Sequence, residues 1–392
     1  MSNQATPPTK KEKASSLRQA LLVPALAVFT GLLIGAIAII ASGENVFEAY
    51  GALFAGSFGT PDRFIEGFQV FFSSGDTSKL LRAIYPFTES LVTATPYIFA
   101  ALSVALGFRC GLFNIGAEGQ VLVGALCSAY VGYSITGLPS FIHLPLAILA
   151  GALGGAIWGM IPGYLKARFG AHEVVNTIMM NWIAFKFSDW LLKGPMQASG
   201  SRPVTPNVEV TAELPRFFPD PLRFNWGFVL ALFVAWLVYW FLFKTTLGFE
   251  IRSVGANPDA AKYAGMNVTR NFVLVMALAG GLAGLAGASQ VLGVDHWVGQ
   301  GFSAGYGFDS IALALLGKSH PFGVVLAALL FGFLRSGATR MQSMAGIPID
   351  IISIIQGLVV IFIAAPAIIR WIYRIRATST SEETVLTRGW GR

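Results

Sequence analysis

Long apolar runs separated by short polar stretches make up most of the chain. They fall at 20–42, 85–107, 117–135, 144–165, 174–192, 226–244, 271–292, 303–318, 321–337 and 347–369. A helix needs about 20 mainly apolar residues to cross a bilayer, so the pattern predicts an all-α polytopic membrane protein with about ten transmembrane helices. The run at 303–318 is short and glycine-rich, which points to a broken or re-entrant segment. Glycines stand four apart within several runs, at Gly31/Gly35, Gly155/Gly159/Gly163 and Gly280/Gly284. Small residues at that spacing let helix backbones approach closely, so they mark packing faces and say nothing of a substrate.

The polar stretches set the boundaries. The first carries Lys10, Lys11, Lys13 and Arg18, and no small-residue cleavage site follows the next apolar run. That fits a disordered cytoplasmic tail over 1–19 better than a signal peptide. A membrane domain over 20–370 and a second cytoplasmic tail over 371–392 complete the chain. About ten spans put both ends on one side, and assigning that side to the cytoplasm places most of the lysine and arginine inside. Residues 43–84 and 193–225 are then long external loops.

Composition agrees. The chain is 54% hydrophobic and 12% charged, with a mean hydropathy of +0.64, where a soluble domain carries about 25% charged residues. No polar block is long enough for a large soluble domain. The net charge of +7 follows from cytoplasmic lysine and arginine and calls for no nucleic acid. Cys110 and Cys127 lie in or beside apolar runs, as small buried hydrophobes do. His143, His172, His296 and His320 show no metal-ligand spacing, so neither a metal nor another cofactor is expected.

Four polar elements remain. GLFNIGAEGQ, Gly111 to Gln120, sets Asn114, Glu118 and Gln120 among glycines between two apolar runs. It is either a solvated loop or a broken membrane segment whose polar side chains face a cavity or another helix. GFSAG, Gly301 to Gly305, repeats the spacing of GFRCG, Gly107 to Gly111, and again an acid follows, Asp309. Matching interruptions of this kind point to a binding site or pathway. Glu173, Thr177 and Asn181 share one helix face, either as interhelical glue or as a pathway lining. The stretch Gly248–Asn271 is too polar to insert. Within it Asn257-Pro258-Asp259 starts a helix by its cap, its proline and its acid at the dipole's positive end, and Gly265 ends it.

At these motifs the chain resembles a known group. GLFNIGAEGQVLVGAL, RSVGANPDAAKYAGM, GYGFDSIALALLG and IPIDIISIIQGLVVIFIAAP, in that order, resemble inner-membrane permeases of bacterial ABC importers. Within them the chain looks like the branched-chain amino acid and simple-sugar group, and GLFNIGAEGQ is similar to its nucleoside permeases, which work with a basic-membrane-protein type of binding lipoprotein. The GIDLSVG-like sequence of ribose-type permeases is absent.

The resemblance covers roughly residues 85–369. It implies a permease core of about ten helices in the bacterial inner membrane and a second permease subunit, related or identical. It also implies two cytoplasmic ATPase subunits and an extracytoplasmic binding protein. It makes Glu250, Arg252, Asn257, Asp259 and Lys262 candidates for ATPase contact, and favours a pathway-bordering role for Asn114, Glu118 and Gln120, while Thr177, Asn181 and Asp309 are pathway candidates from their placement alone. Residues 57–84 look like an added segment. The leading expectation is nucleoside import by a subunit that is not itself an enzyme. The alternatives are a simple sugar or other small polar solute, and, from another class, an autonomous ion-coupled carrier that would need no ATPase dock.

Overall fold

The computed structural model describes residues 10–200 and 202–375. The helices are, in order, α1 (Lys10–Ala41), α2 (Val46–Phe58), α3 (Pro61–Ser74), α4 (Ser78–Arg109) and α5 (Ala117–Ser134). They continue as α6 (Ser140–Phe169), α7 (Glu173–Leu192), α8 (Trp226–Lys244), α9 (Thr246–Ala256) and α10 (Pro258–Tyr263). The last five are α11 (Val268–Gln290), α12 (Tyr306–Leu316), α13 (Pro321–Ala345), α14 (Ile349–Ala364) and α15 (Pro366–Ile372). Among the described residues, β-pairing is limited to the isolated bridges Val204–Gly299 and Arg216–Asn225. The protein is all-α.

Each apolar run falls on a helix, and five helices (α4, α6, α8, α11 with its π-helical extension to Asp295, and α13) are long and apolar enough to cross a membrane. A sixth span is made if Ile351–Ile363 and Pro366–Ile372, bent by 86°, count as one. Length and composition thus establish a multi-pass membrane protein and leave the full count of ten undecided.

The structure adds detail to three connecting segments. Residues 43–84 are not an open loop, because α2, α3 and the first turns of α4 occupy them. Within 57–84, α3 lies along α4: its Gly67 sits against the Leu80 backbone and its Glu66 pairs with Lys79 at 2.6 Å. The stretch before Asn257 is also helical, as α9, because Thr245 caps it by accepting from the Gly248 N–H at 3.1 Å. Of the tail expected over 1–19, residues 10–19 continue α1, and the rest lies outside the described residues. The tail expected over 371–392 lies outside them beyond Ile375.

The described residues form two compact units, one within 53–339 and the other made of 10–52 together with 340–375. In the second unit Gly31 and Gly35 of α1 meet Val359 and Ile355 of α14, and the Thr30 and Tyr373 hydroxyls lie 3.0 Å apart.

The larger unit is built around α4, whose Tyr97, Ile98, Phe99, Leu102 and Leu106 are buried. The glycine faces pack as their spacing requires. An added Cβ at Gly155 would lie 2.2 Å from the Gly280 carbonyl oxygen, so α6 and α11 touch backbone to backbone. One turn apart on the opposite side of α6, Leu149, Leu153 and Ile157 are exposed, as a lipid-facing stripe must be. The segment 193–225 drapes over the ends of this bundle, with Val208 N–H donating to the His296 carbonyl and Glu209 N–H to that of Gly132, each at 2.8 Å.

Candidate functional site

The GLFNIGAEGQ segment is a buried corner between α4 and α5. Leu112 N–H closes the end of α4 on the Gly107 carbonyl at 3.0 Å, and Gly111 takes a positive φ of 73°, which a glycine adopts without steric cost. Asn114 and Gln120 then face each other in a reciprocal amide pair, at 2.9 and 3.1 Å. Asn181 of α7 holds the corner from outside, its carbonyl oxygen accepting from Gly119 N–H at 2.8 Å and its amide donating to the Ile115 carbonyl at 3.0 Å. Thr177, one turn earlier and also buried, donates to the Glu173 carbonyl at 2.8 Å. Glu173 itself turns back to Lys166 at 2.8 Å.

Glu118 is 2% exposed. Its carboxylate accepts from the backbone N–H groups of Gly305 (3.0 Å), Gly307 (2.6 Å) and Phe308 (3.3 Å) at the start of α12. The open choice between a cavity and another helix therefore resolves to a helix for Glu118, and to the corner's own amide pair for Asn114 and Gln120. A buried carboxylate is tolerated because three donors and the positive end of a helix dipole meet it. The repeated GF-x-x-G spacing marks the two chain breaks that Glu118 joins, each with a left-handed glycine, Gly111 and Gly305.

Asp309, one residue beyond Phe308, differs from the other candidates. Its carboxylate accepts from the Tyr97 hydroxyl at 3.1 Å and from Arg335 of α13 at 3.2 Å. The Asp309 and Arg335 side chains stay 33% and 39% exposed. The Tyr97 ring packs edge-on to Tyr306 and to Phe331, centroids 5.0 Å apart in both pairs. Neither Tyr97 nor Arg335 was singled out from the sequence. Arg335 left a signal, a lone cation inside an apolar run; Tyr97 left none.

The α9–α10 segment sorts the remaining candidates. Asn257 caps α10, accepting from Ala260 N–H at 3.0 Å, while Asp259 and Lys262 are exposed in its first and last turns. Glu250 and Arg252 turn inward. Glu250 accepts from the Asn271 amide at 3.2 Å, and the Arg252 guanidinium lies 5.1 Å from the Phe243 ring centroid. Tyr263 at the end of α10 is 95% exposed, although an aromatic at a helix end ordinarily packs. His320, between α12 and α13, is held below the usual imidazole range by burial and then by the Arg109 charge.

The family described as "Branched-chain amino acid transport system / permease component" matches residues 87–364. The chain belongs to this permease family. The permease is 39% identical over 357 residues to the guanosine ABC transporter permease protein NupP of Bacillus subtilis, covering 90% of this chain and 95% of that one. It is 34% identical over 374 residues to the nucleoside ABC transporter permease protein NupB of Lactococcus lactis, covering 93% and 96%. Against the glucose ABC transporter permease protein TsgB13 of Haloferax volcanii, identity is 33% over 350 residues, covering 87% and 86%. The same two bacteria hold second, more distant matches, NupQ and NupC, both at 31% identity. No solved structure matches the chain.

Proposed function

We propose that the permease carries nucleosides inward across the bacterial cytoplasmic membrane as one membrane subunit of an ATP-driven importer. The similarity along nine-tenths of the chain to a guanosine and a nucleoside permease carries this reading. A second permease subunit completes the pathway, as the NupP/NupQ and NupB/NupC pairs support. Two ATPase subunits bind at α9–α10, an extracytoplasmic binding protein delivers the substrate, and about ten spans leave both termini in the cytoplasm. In proteoliposomes of the assembled importer, labelled guanosine uptake is expected to be competed by excess adenosine and unaffected by ribose or glucose. The glucose permease relative supports a sugar reading instead. Glucose uptake without guanosine uptake would establish that alternative.

Within the pathway, Asp309 and Arg335 meet the nucleoside, the buried Tyr97 holds the Asp309 carboxylate from the core, and Asn114, Glu118, Gln120, Thr177 and Asn181 hold the helices that border it. A neutral nucleoside offers a hydrogen-bonding edge and a flat ring, which a carboxylate, a guanidinium and the half-buried Tyr306 ring complement. Asp309→Asn and Arg335→Gln are each expected to lower guanosine uptake about 10-fold, equivalent to roughly 1.4 kcal/mol. Because the pair is a third exposed, water can hydrate the charge left behind, and its loss should cost the fold less than the roughly 3–5 kcal/mol of breaking a fully buried pair. Uptake and thermal unfolding measured together check this. A large stability loss with normal uptake would make the pair structural.

A further inference from the structure

The helix α12 is 11 residues long, about 17 Å at 1.5 Å per residue, too short to cross a bilayer. Both of its ends are held by one short stretch of chain, the α4–α5 corner. At the N-terminal end Glu118 gathers the Gly305, Gly307 and Phe308 N–H groups. Beyond the C-terminal end Arg109 donates to the Ser319 carbonyl at 2.8 Å and to the Lys318 carbonyl at 3.3 Å. Those carbonyls are presented by a turn in which Lys318 and Ser319 take φ of 52° and 50°, a conformation uncommon for residues other than glycine. An anion therefore sits at the positive end of the helix dipole and a cation at the negative end.

The contacts alongside these bonds have no compliant side-chain layer. An added Cβ at Gly307 would lie 2.1 Å from the Glu118 nitrogen, and one at Gly255 of α9 would lie 2.3 Å from the Arg109 carbonyl oxygen. Thus α9 rests on the corner by backbone contact, the corner grips α12 at both ends, and α12 carries Asp309 with its Arg335 and Tyr97 partners.

We infer that Glu118 and Arg109 are positioning residues that clamp α12 to the α4–α5 corner, so that α9, the corner and α12 move as one body and pass motion of α10 to Asp309. This rests on the reading of α9–α10 as the ATPase-facing segment. Close-packed backbone transmits displacement instead of absorbing it, and the dipole-matched charges resist sliding of α12 along its axis.

The test uses the assembled importer with Cys110 and Cys127 replaced by serine and spin labels at Phe249→Cys on α9 and Leu315→Cys on α12, both exposed positions. Between the nucleotide-free and ATP–vanadate-trapped states, the label separation is expected to change by less than about 2 Å. A shift near one helical turn, about 5 Å, would overturn the clamp. In Arg109→Gln the distance distribution is expected to broaden, and the ATP hydrolysed per guanosine imported to rise at least several-fold. Glu118→Gln, which keeps one acceptor oxygen, should fall between wild type and Glu118→Ala. An unchanged distribution together with an unchanged coupling ratio in Arg109→Gln would also overturn it. Failure of the ATPase-docking reading shows separately, as absence of any crosslink from Tyr263→Cys to the ATPase. The label separation reports on the clamp whether or not that crosslink forms.

Discussion

Ala261→Pro is expected to yield a folded permease that imports no nucleoside and no longer supports binding-protein-stimulated ATP hydrolysis. Ala261 N–H donates to the Asn257 carbonyl at 3.0 Å, and its own carbonyl accepts from Met266 N–H at 3.0 Å. Proline removes the donor and drives its ring into the residue 257 carbonyl, at a cost of about 3 kcal/mol or more. A helix of six residues has too few hydrogen bonds to absorb that loss, so α10 should unwind while α11 keeps its own cap, Asn267 accepting from Arg270 N–H at 2.9 Å. If the ATPase cycle reaches the membrane through α10, unwinding it separates hydrolysis from transport. Tyr263→Ala, which removes an exposed ring without touching the helix, should weaken ATPase binding and leave thermal stability unchanged. Uptake, ATPase rate and cytoplasm-side labelling of Tyr263→Cys decide the matter. Normal coupling in Ala261→Pro, or labelling from the outside only, would refute the assignment of this segment.

Gly284→Leu is expected to abolish recovery of folded protein. Gly284 stands where α5, α6 and α11 meet. Its added Cβ would lie 2.2 Å from the Gly151 carbonyl oxygen, and one on Gly124 would lie 2.3 Å from the Gly284 Cα. Overpacking of an ordinary core costs about 1–3 kcal/mol because side chains can give way. Here the obstructing atoms are α6 backbone at Gly151 and Gly155, so the helices themselves must part. Gly284→Ala should reduce yield, and leucine should eliminate the monodisperse species on size-exclusion chromatography. Wild-type recovery of Gly284→Leu would mean that this three-helix contact is not essential to the fold.

The sequence by itself determined the local features of this protein. The apolar runs became helices because helix formation and membrane insertion both depend on stretches of consecutive residues. Gly155, Gly159, Gly280 and Gly284 became the α6–α11 contact because a missing side chain permits close approach whatever the partner. Asn257 became a cap because its donor lies three residues away. The inward face of α7 was likewise legible, Thr177 and Asn181 being one turn apart and both buried.

The tertiary structure decided what meets across the fold. Glu118 was visible as a costly acid in an apolar setting, but its partners at Gly305 to Phe308 lie almost 190 positions away, and backbone N–H groups leave no mark in a sequence. Asp309 was visible too, whereas its pairing with Arg335 and Tyr97 depended on how α4, α12 and α13 pack. Packing also turned Glu250 and Arg252 inward and left Tyr263 exposed. Periodicity and caps act over a few residues and can be read from the chain. The partner of a buried charge is chosen by the folded arrangement that satisfies it, since leaving it unpaired is so costly.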